Sequence, residues 1–340
     1  MDKNYRVVFA AEKVAKIEEC AMPGPLNADE VLIKTDVSQI STGTELSMLI
    51  PSDSEPDSAW VKSRSNFPVY PGYSNSGTIV AVGADVDPSY IGKHVMSVVT
   101  HAKYYTRTLQ NCVLMADNVD QDEAVFSTLA AVTLASVRVS GILPGDTVVV
   151  YGAGIVGQLT ARFAKVAGAL NVYVVDLSEY RLGLLPDDSC FIKVNPNEVG
   201  DVPTFLKEHN NGNLARVVFE TTGNQHVIPS ELKCVTKCGK LIITSSPKGK
   251  SPIDFDFVSC QGITIIGAHN MTVHPPVATP QNPWTFMSEL PYIIEMLEKE
   301  QISFKNLISH HYNYKDAADA YNMLIADRGS AMAAHLVWED

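Results

Sequence analysis

Apolar residues in the middle of the chain fall in short continuous runs. Thr147–Tyr151 reads Thr-Val-Val-Val-Tyr, and Val172–Val175, Phe191–Val194, Val217–Glu220, Leu241–Thr244 and Ile263–Ile266 repeat the pattern with helical stretches between them. Runs that are apolar on both faces suit strands of a parallel sheet covered by helices on both sides. Residues 126–270 are therefore predicted to form one doubly wound α/β domain. The first 125 residues have another texture: short alternating runs such as Val31-Leu32-Ile33-Lys34 and Gly77–Val82, separated by Gly, Pro, Asn and Asp, predict an antiparallel β-rich domain. The polar stretch Pro51–Asn66 reads as a lid or insertion. Beyond a Pro- and His-rich loop, helices are predicted over Trp284–Glu300 and Asp316–Ala326 and a last strand over Ala333–Trp338. This tail is expected to return to the first domain, which then comprises residues 1–125 and 271–340, with the cleft between the two bodies as the expected ligand site.

The 340 residues exceed what one core usually supports, in keeping with two domains. Acidic residues outnumber basic ones, 38 to 26, and no basic block occurs. That balance excludes nucleic acid and anionic membrane surfaces as natural partners and leaves small molecules and protein subunits. No apolar run approaches the roughly 18–20 residues of a membrane span, and the charged start lacks a leader pattern, so a cytoplasmic protein is expected. The six cysteines are scattered without a CxxC pair. Cys234 and Cys238, placed in a helix running into Gly239, are expected to be buried free thiols.

The chemistry concentrates after the first apolar run. Gly152-Ala153-Gly154-Ile155-Val156-Gly157 follows the strand and opens a helical stretch, and Asp176 closes the next strand 19 residues after Gly157. Strand, glycine turn, helix, strand and acid in that order are the parts of a dinucleotide-binding unit: Gly152 for the tight turn, Gly154 for approach of the pyrophosphate, Gly157 for helix–strand packing, and Asp176 for the adenosine ribose hydroxyls. The pyrophosphate would rest on the helix N-terminus. A 2′-phosphate would face the Asp176 carboxylate, which favours NAD over NADP.

With Pro71-Gly72-Tyr73-Ser74-Asn75-Ser76-Gly77, Pro144-Gly145-Asp146-Thr147-Val148, the glycine motif, Asp176–Leu182 and Glu220-Thr221-Thr222-Gly223, the chain resembles the medium-chain dehydrogenase/reductase superfamily over essentially its whole length. The resemblance implies a β-rich GroES-like domain beside a Rossmann domain, and adds Ile155, Val156, Arg181, Thr221, Thr222 and Ser245 to the cofactor-binding residues. It also exposes departures. Zinc members carry a Cys where this chain has Ile40-Ser41-Thr42-Gly43-Thr44-Glu45, Gly-His-Glu where it has Gly72-Tyr73-Ser74, and a third ligand near Phe126–Leu129, where no Cys, His or Glu occurs. The four-cysteine lobe is missing as well. On these grounds no zinc and no other metal is expected, as in a zinc-free branch that includes bacteriochlorophyllide hydroxyethyl dehydrogenases and sugar or polyol dehydrogenase-like proteins.

The implied activity is NAD-dependent oxidation of a secondary alcohol, a sugar, polyol or cyclitol, with side chains handling the proton. Tyr73 stands in place of a ligand histidine, Thr44 in place of the first hydroxyl of a proton relay, and His101 in the segment that returns to the pocket; these three, with Glu45 beside Thr44, are the catalytic candidates. Ser41, His269 and Asn270 are the substrate-binding candidates. His310 and His311 read as structural. Two other readings stand beside this one: an NADPH-dependent quinone or enoyl reductase, and a dinucleotide-binding protein without turnover. The apolar run Ile263–Ile266 resembles the edge strand through which relatives pair, so a homodimer or homotetramer is expected.

Overall fold

The computed structural model describes residues 2–51, 66–247, 249–327 and 329–339. Most of the lid expected over Pro51–Asn66 lies outside these residues. The chain divides into two units, Met1–Thr128 with Leu290–Asp340, and Leu129–Glu289. Before Thr128 run β1 (Asn4–Ala11), β2 (Val14–Cys20), β3 (Glu30–Ile40), β4 (Asn75–Val82), β5 (His94–Ser97), β6 (Tyr104–Thr108) and β7 (Cys112–Leu114). The second unit holds β8 (Thr147–Tyr151), β9 (Asn171–Val175), β10 (Phe191–Val194), β11 (Ala215–Glu220), β12 (Val235–Ile243) and β13 (Thr264–Gly267). The tail then supplies β14 (Ile308–Asn313) and β15 (Ala333–Val337) to the first unit.

In the second unit the six strands are all parallel, in the order β10-β9-β8-β11-β12-β13. Counted from the first strand this is 3-2-1-4-5-6, the doubly wound order whose reversal beside β8 opens a crevice at the carboxyl ends of the strands. Central strands are buried on both faces, as their continuous valines require: Val148, Val149, Val150, Val172, Val174, Val217 and Val218 are at or near zero exposure. At the edge, β13 exposes Thr264 and only half-buries Ile265 and Ile266. Cys234 is buried, but Cys238 lies on β12 and is exposed with φ of 59°. The helix expected there ends at Lys233, so the pairing of these cysteines as two buried thiols is corrected for Cys238.

The first unit is built around β3. Along one side of that strand β4 pairs throughout; along the other, Glu30–Lys34 pairs with β6 and Val37–Ile40 with β15. Val31 and Ile33 alternate inward to meet Ile79 and Val95, whereas the last four residues of β3 are buried on both faces. There Ile40 and Leu336 meet Tyr321 and Leu324 of the helix Ala317–Ala326, with Trp338 stacked on Tyr314. The end of β3 therefore lies in a buried part of the unit, and the loop at Ser41 leaves from it. Among the described residues no helix is long and apolar enough to cross a membrane.

Candidate active site

In the second unit, β8 enters a turn at Gly152, whose φ of 97° is the left-handed region that glycine adopts without strain. Gly157 is where the helix Ile155–Val166 crosses this turn. A Cβ there would sit 1.7 Å from the Gly152 carbonyl oxygen and 2.8 Å from Thr221 Oγ1, so nothing larger than glycine fits. Gly154 caps the same helix without a side-chain hydrogen bond, and open space lies where its Cβ would be. The first-turn N–H groups of Ile155, Val156 and Gly157 thus face a cradle suited to an anion. At the end of β9, Asp176 accepts from the backbone N–H of Ala153 (2.7 Å) and of Ser178 (2.8 Å), which leaves each oxygen a further lone pair for a ribose diol. Arg181 enters through its backbone: its carbonyl accepts from Gln158 Nε2 at 2.7 Å, tying the segment after Asp176 to the glycine helix. These residues fit a dinucleotide.

Thr221, Thr222 and Ser245 all have their hydroxyls engaged within the protein. Thr221 Oγ1 donates to the Tyr151 carbonyl at 2.6 Å, under the glycine turn. Thr222 Oγ1 and Ser245 Oγ both donate to Glu220, which also accepts from the N–H groups of Thr222 and Gly223. Glu220, fully buried and not foreseen as a site residue, thus shapes the loops that follow β11 and β12. Its neighbour Glu231 is also fully buried, and neither of its oxygens has a hydrogen-bond partner. Burial, then the charge of Glu220, pushes the Glu231 carboxyl up to about 9. A carboxyl raised in the folded state gives stability that is complete below the unfolded value near 4.5 and drains away as pH climbs toward 9. Glu231→Gln, which cannot ionise, should flatten that decline, leaving the variant more stable than the parent at pH 8 by on the order of 3 kcal/mol. Urea denaturation from pH 5 to 9 reads the difference, and parallel slopes for the two proteins would refute it.

In the first unit the hydroxyl candidates come together. The Tyr73 phenol donates to Ser41 Oγ at 2.6 Å, and the Thr44 N–H reaches the same oxygen at 3.3 Å. Both lone pairs of Ser41 are then occupied, which leaves its O–H as a donor toward a further partner. Burial pushes the Tyr73 phenol up to about 12, so it is protonated at neutral pH. Tyr73, Pro71, Tyr70, Met48 and Thr100 border a cleft of about 450 Å³. Glu45 and His101 are fully buried and pair with each other, Nε2 to carboxylate, at 3.2 Å. Glu45 also accepts from the Ser41 N–H (3.0 Å) and from the Tyr321 hydroxyl. Ser38 Oγ accepts from Trp338 Nε1 at 2.9 Å and lies 2.8 Å from His101 Nδ1. A carboxylate can only accept, so the contact with Glu45 places a proton on His101 Nε2. Gly72 is held against His101: its φ is 102°, and a Cβ would come within 2.5 Å of the His101 backbone nitrogen and 2.8 Å of the ring carbons. Tyr321, Ser38 and Trp338 carry no motif and were not foreseen in the sequence.

His269 and Asn270 belong to the second unit. His269 is exposed, and Asn270 Oδ1 meets His274 Nδ1 at 2.9 Å. In the first unit a different group gathers metal-binding atoms: Asp122 Oδ1 lies 2.9 Å from His311 Nε2 and 2.8 Å from His335 Nδ1. The three ligand atoms lie within 4.8 Å of one another. Burial raises the Asp122 carboxyl, but hydrogen bonds from His335 and His311 outweigh it and hold the group below its usual range. Burial lowers His335.

Comparison with known proteins shows what the chain is similar to. The family described as zinc-binding dehydrogenase matches residues 156–284. A zinc-type alcohol dehydrogenase-like protein of Escherichia coli is 24% identical over 94% of each chain. The D-xylulose reductase of Scheffersomyces stipitis is 26% identical over 68% of this chain and 62% of its own. The chain is thus similar to alcohol dehydrogenase-like proteins of the medium-chain dehydrogenase/reductase superfamily. The superfamily fold is matched by 2R,3R-butanediol dehydrogenase of Bacillus subtilis, with a TM-score of 0.81 at 20% identity over 99% of this chain and all of that one.

These likenesses also correct the expectation that no zinc and no metal is present. The matching family and the E. coli relative are both described as zinc-type, and Asp122, His311 and His335 form a group able to hold a metal. Two imidazoles and a carboxylate are the three-ligand set of a zinc site whose fourth position belongs to water, and an ion there would supply a fixed double positive charge and Lewis acidity. Around Ser41 the donors are hydroxyls and the Glu45–His101 pair. Asp122, His311 and His335 lie up to 213 positions apart and make no local motif, away from the positions at which zinc members carry their ligands.

Proposed function

We propose that the protein oxidises a secondary alcohol of the sugar or polyol class to its ketone and passes the hydride to NAD. The observation that carries this reading is the glycine turn with Asp176 at its rim: bare helix N–H groups for a pyrophosphate, and a carboxylate that suits a ribose diol and repels a 2′-phosphate. The substrate class draws support from the relative named D-xylulose reductase and from the clustering of Ser41, Thr44 and Tyr73 hydroxyls.

In the oxidation, the carbinol C–H bond breaks with its electron pair leaving as hydride, and the hydroxyl proton must leave as well. Ser41 is the group placed for that oxygen, since both its lone pairs are engaged and its O–H is the remaining contact. Tyr73 extends the hydroxyl chain outward from Ser41, and its phenol also meets the Thr44 side chain. In the reductive direction Ser41 gives its proton to the carbonyl oxygen and takes one from Tyr73, which is reprotonated by solvent in the cleft it borders; in oxidation Tyr73 first passes its proton to that solvent, so that Ser41 can donate to Tyr73 and free a lone pair to accept the hydroxyl proton. Glu45 and His101 act as positioning residues, fixing the Ser41 backbone from below.

The test is turnover followed at 340 nm with NAD and NADP against polyols and sugars, with dinucleotide affinity measured separately. Tyr73→Phe should lower kcat by about 10²–10⁴ with NAD affinity unchanged. Asp176→Ala should weaken NAD by more than about tenfold and narrow the preference over NADP. Reduction of enones by NADPH, or tight dinucleotide binding with no turnover on any alcohol, would remove the reading.

A further inference from the structure

We infer that Asp122, His311 and His335 form a built site for one divalent transition cation of the zinc class, pinning the short helix Gln121–Ala124 to the two tail strands. The backbone places the ligands. His311 and His335 are direct partners in the parallel pair of β14 and β15, so their rings stand on the same face of the sheet, with centroids 5.7 Å apart and planes near perpendicular. Asp122 comes from the helix Gln121–Ala124, whose start is fixed by Asp120 accepting the Asp122 N–H. One carboxylate oxygen meets both rings, at 2.8 and 2.9 Å. Two nitrogens and one oxygen converging in this way match a three-ligand site of zinc, cobalt or nickel, and are too few and too nitrogen-rich for calcium or magnesium.

A second, independent observation points to a ligand. His335 is fully buried, and its other nitrogen, Nε2, has no hydrogen-bond partner. Gln39, 2% exposed, is paired with His335 across β15 and β3, and both of its side-chain polar atoms are likewise buried without a partner. Three orphaned buried atoms side by side are uncommon in a native fold. A cation accounts for two of them. With Nδ1 of His335 ligating, the ring proton must sit on Nε2, and the Gln39 carbonyl stands on the same face as its natural acceptor, the outer-shell partner that ligating histidines require. Gln39 is adjacent in β3 to Ser38, which points to the opposite face and the His101–Glu45 pair, so this site is separate from the hydroxyl cluster at Ser41.

The experiment uses the full chain, stripped by a chelator, dialysed and titrated with Co²⁺, with the visible cobalt band, bound metal by mass spectrometry and thermal unfolding as readouts. The parent is expected to take up one cobalt with a ligand-field band and to melt higher when loaded. Asp122→Asn and His311→Ala should each weaken cobalt by more than about 100-fold, and Gln39→Met by about tenfold. His311 is half-exposed at the sheet edge, so its variant should fold, and circular dichroism of the stripped proteins checks this. No cobalt uptake by the parent, or uptake unchanged in stoichiometry and affinity in both ligand variants, would overturn the assignment.

Discussion

Gly157→Ala should unfold or nearly unfold the second unit, at a cost above about 3 kcal/mol, while Gly154→Ala leaves stability near that of the parent and removes dinucleotide affinity. Both glycines belong to one six-residue turn, yet their surroundings differ. At Gly157 the added methyl would lie 1.7 Å from the Gly152 oxygen and 2.8 Å from the Gly152 carbonyl carbon. These are backbone atoms held in the β8 turn, so helix and strand must separate, and overpacking that no rotamer can relieve exceeds the usual 1–3 kcal/mol. At Gly154 nothing lies within 4 Å, so the methyl is accepted by the protein and enters the space a pyrophosphate would use. Thermal unfolding together with NADH fluorescence separates the two effects. A Gly157→Ala protein with parental melting, or a Gly154→Ala protein with parental affinity, would show that the turn does not work in this way.

The second large effect is expected at Glu45. Its carboxylate is fully buried and receives the Ser41 N–H, the Tyr321 hydroxyl and the His101 Nε2–H. Glu45→Ala strands all three donors in the interior and should cost about 3 kcal/mol or more, since each buried group left unsatisfied costs about 1–3 kcal/mol. Tyr321→Phe deletes a donor without stranding the carboxylate, and should cost about 1–2 kcal/mol. Because Ser41 is anchored through its own N–H, the alanine variant should also lose turnover under conditions where it remains folded. Chemical denaturation measures the first effect; a loss below about 1 kcal/mol for Glu45→Ala would mean that the network relaxes or fills with water.

The second unit was legible because its signals are local. The valine runs became β8 to β11 to within two residues, and Gly152, Gly157 and Asp176 occupy the turn, crossing and rim that their spacing implies. The hydroxyl cluster was partly legible: Ser41 and Thr44 are three positions apart, and Tyr73 joins them through the resemblance. What supports the cluster was not. Tyr321 and Trp338 reach it from the far end of the chain, and no periodicity in a helix or strand announces that one polar tip will find a buried acid about 276 positions away. Glu220 stood in a motif of the resemblance without a role of its own, because only the folded loops show the donors of Thr222, Gly223 and Ser245 closing around it. The same non-locality hid His335, an isolated histidine in an apolar strand, and so misled the reading of metal content.

The place of β15 also orders events during synthesis. This strand, Ala333–Val337, lies between β14 and β3 in the interior of its sheet, and Trp338 closes the core behind it. The second unit is complete in sequence by Glu289 and contains every strand of its own sheet. On a ribosome that unit has all it needs to fold while the remaining residues are still being added. The first unit does not: β3 emerges some 300 residues before its partner, and its last four residues keep an unpaired edge until residue 337 has been made. The half of the molecule that is read first is therefore finished last, and its waiting edge is the segment a nascent-chain chaperone has most reason to cover.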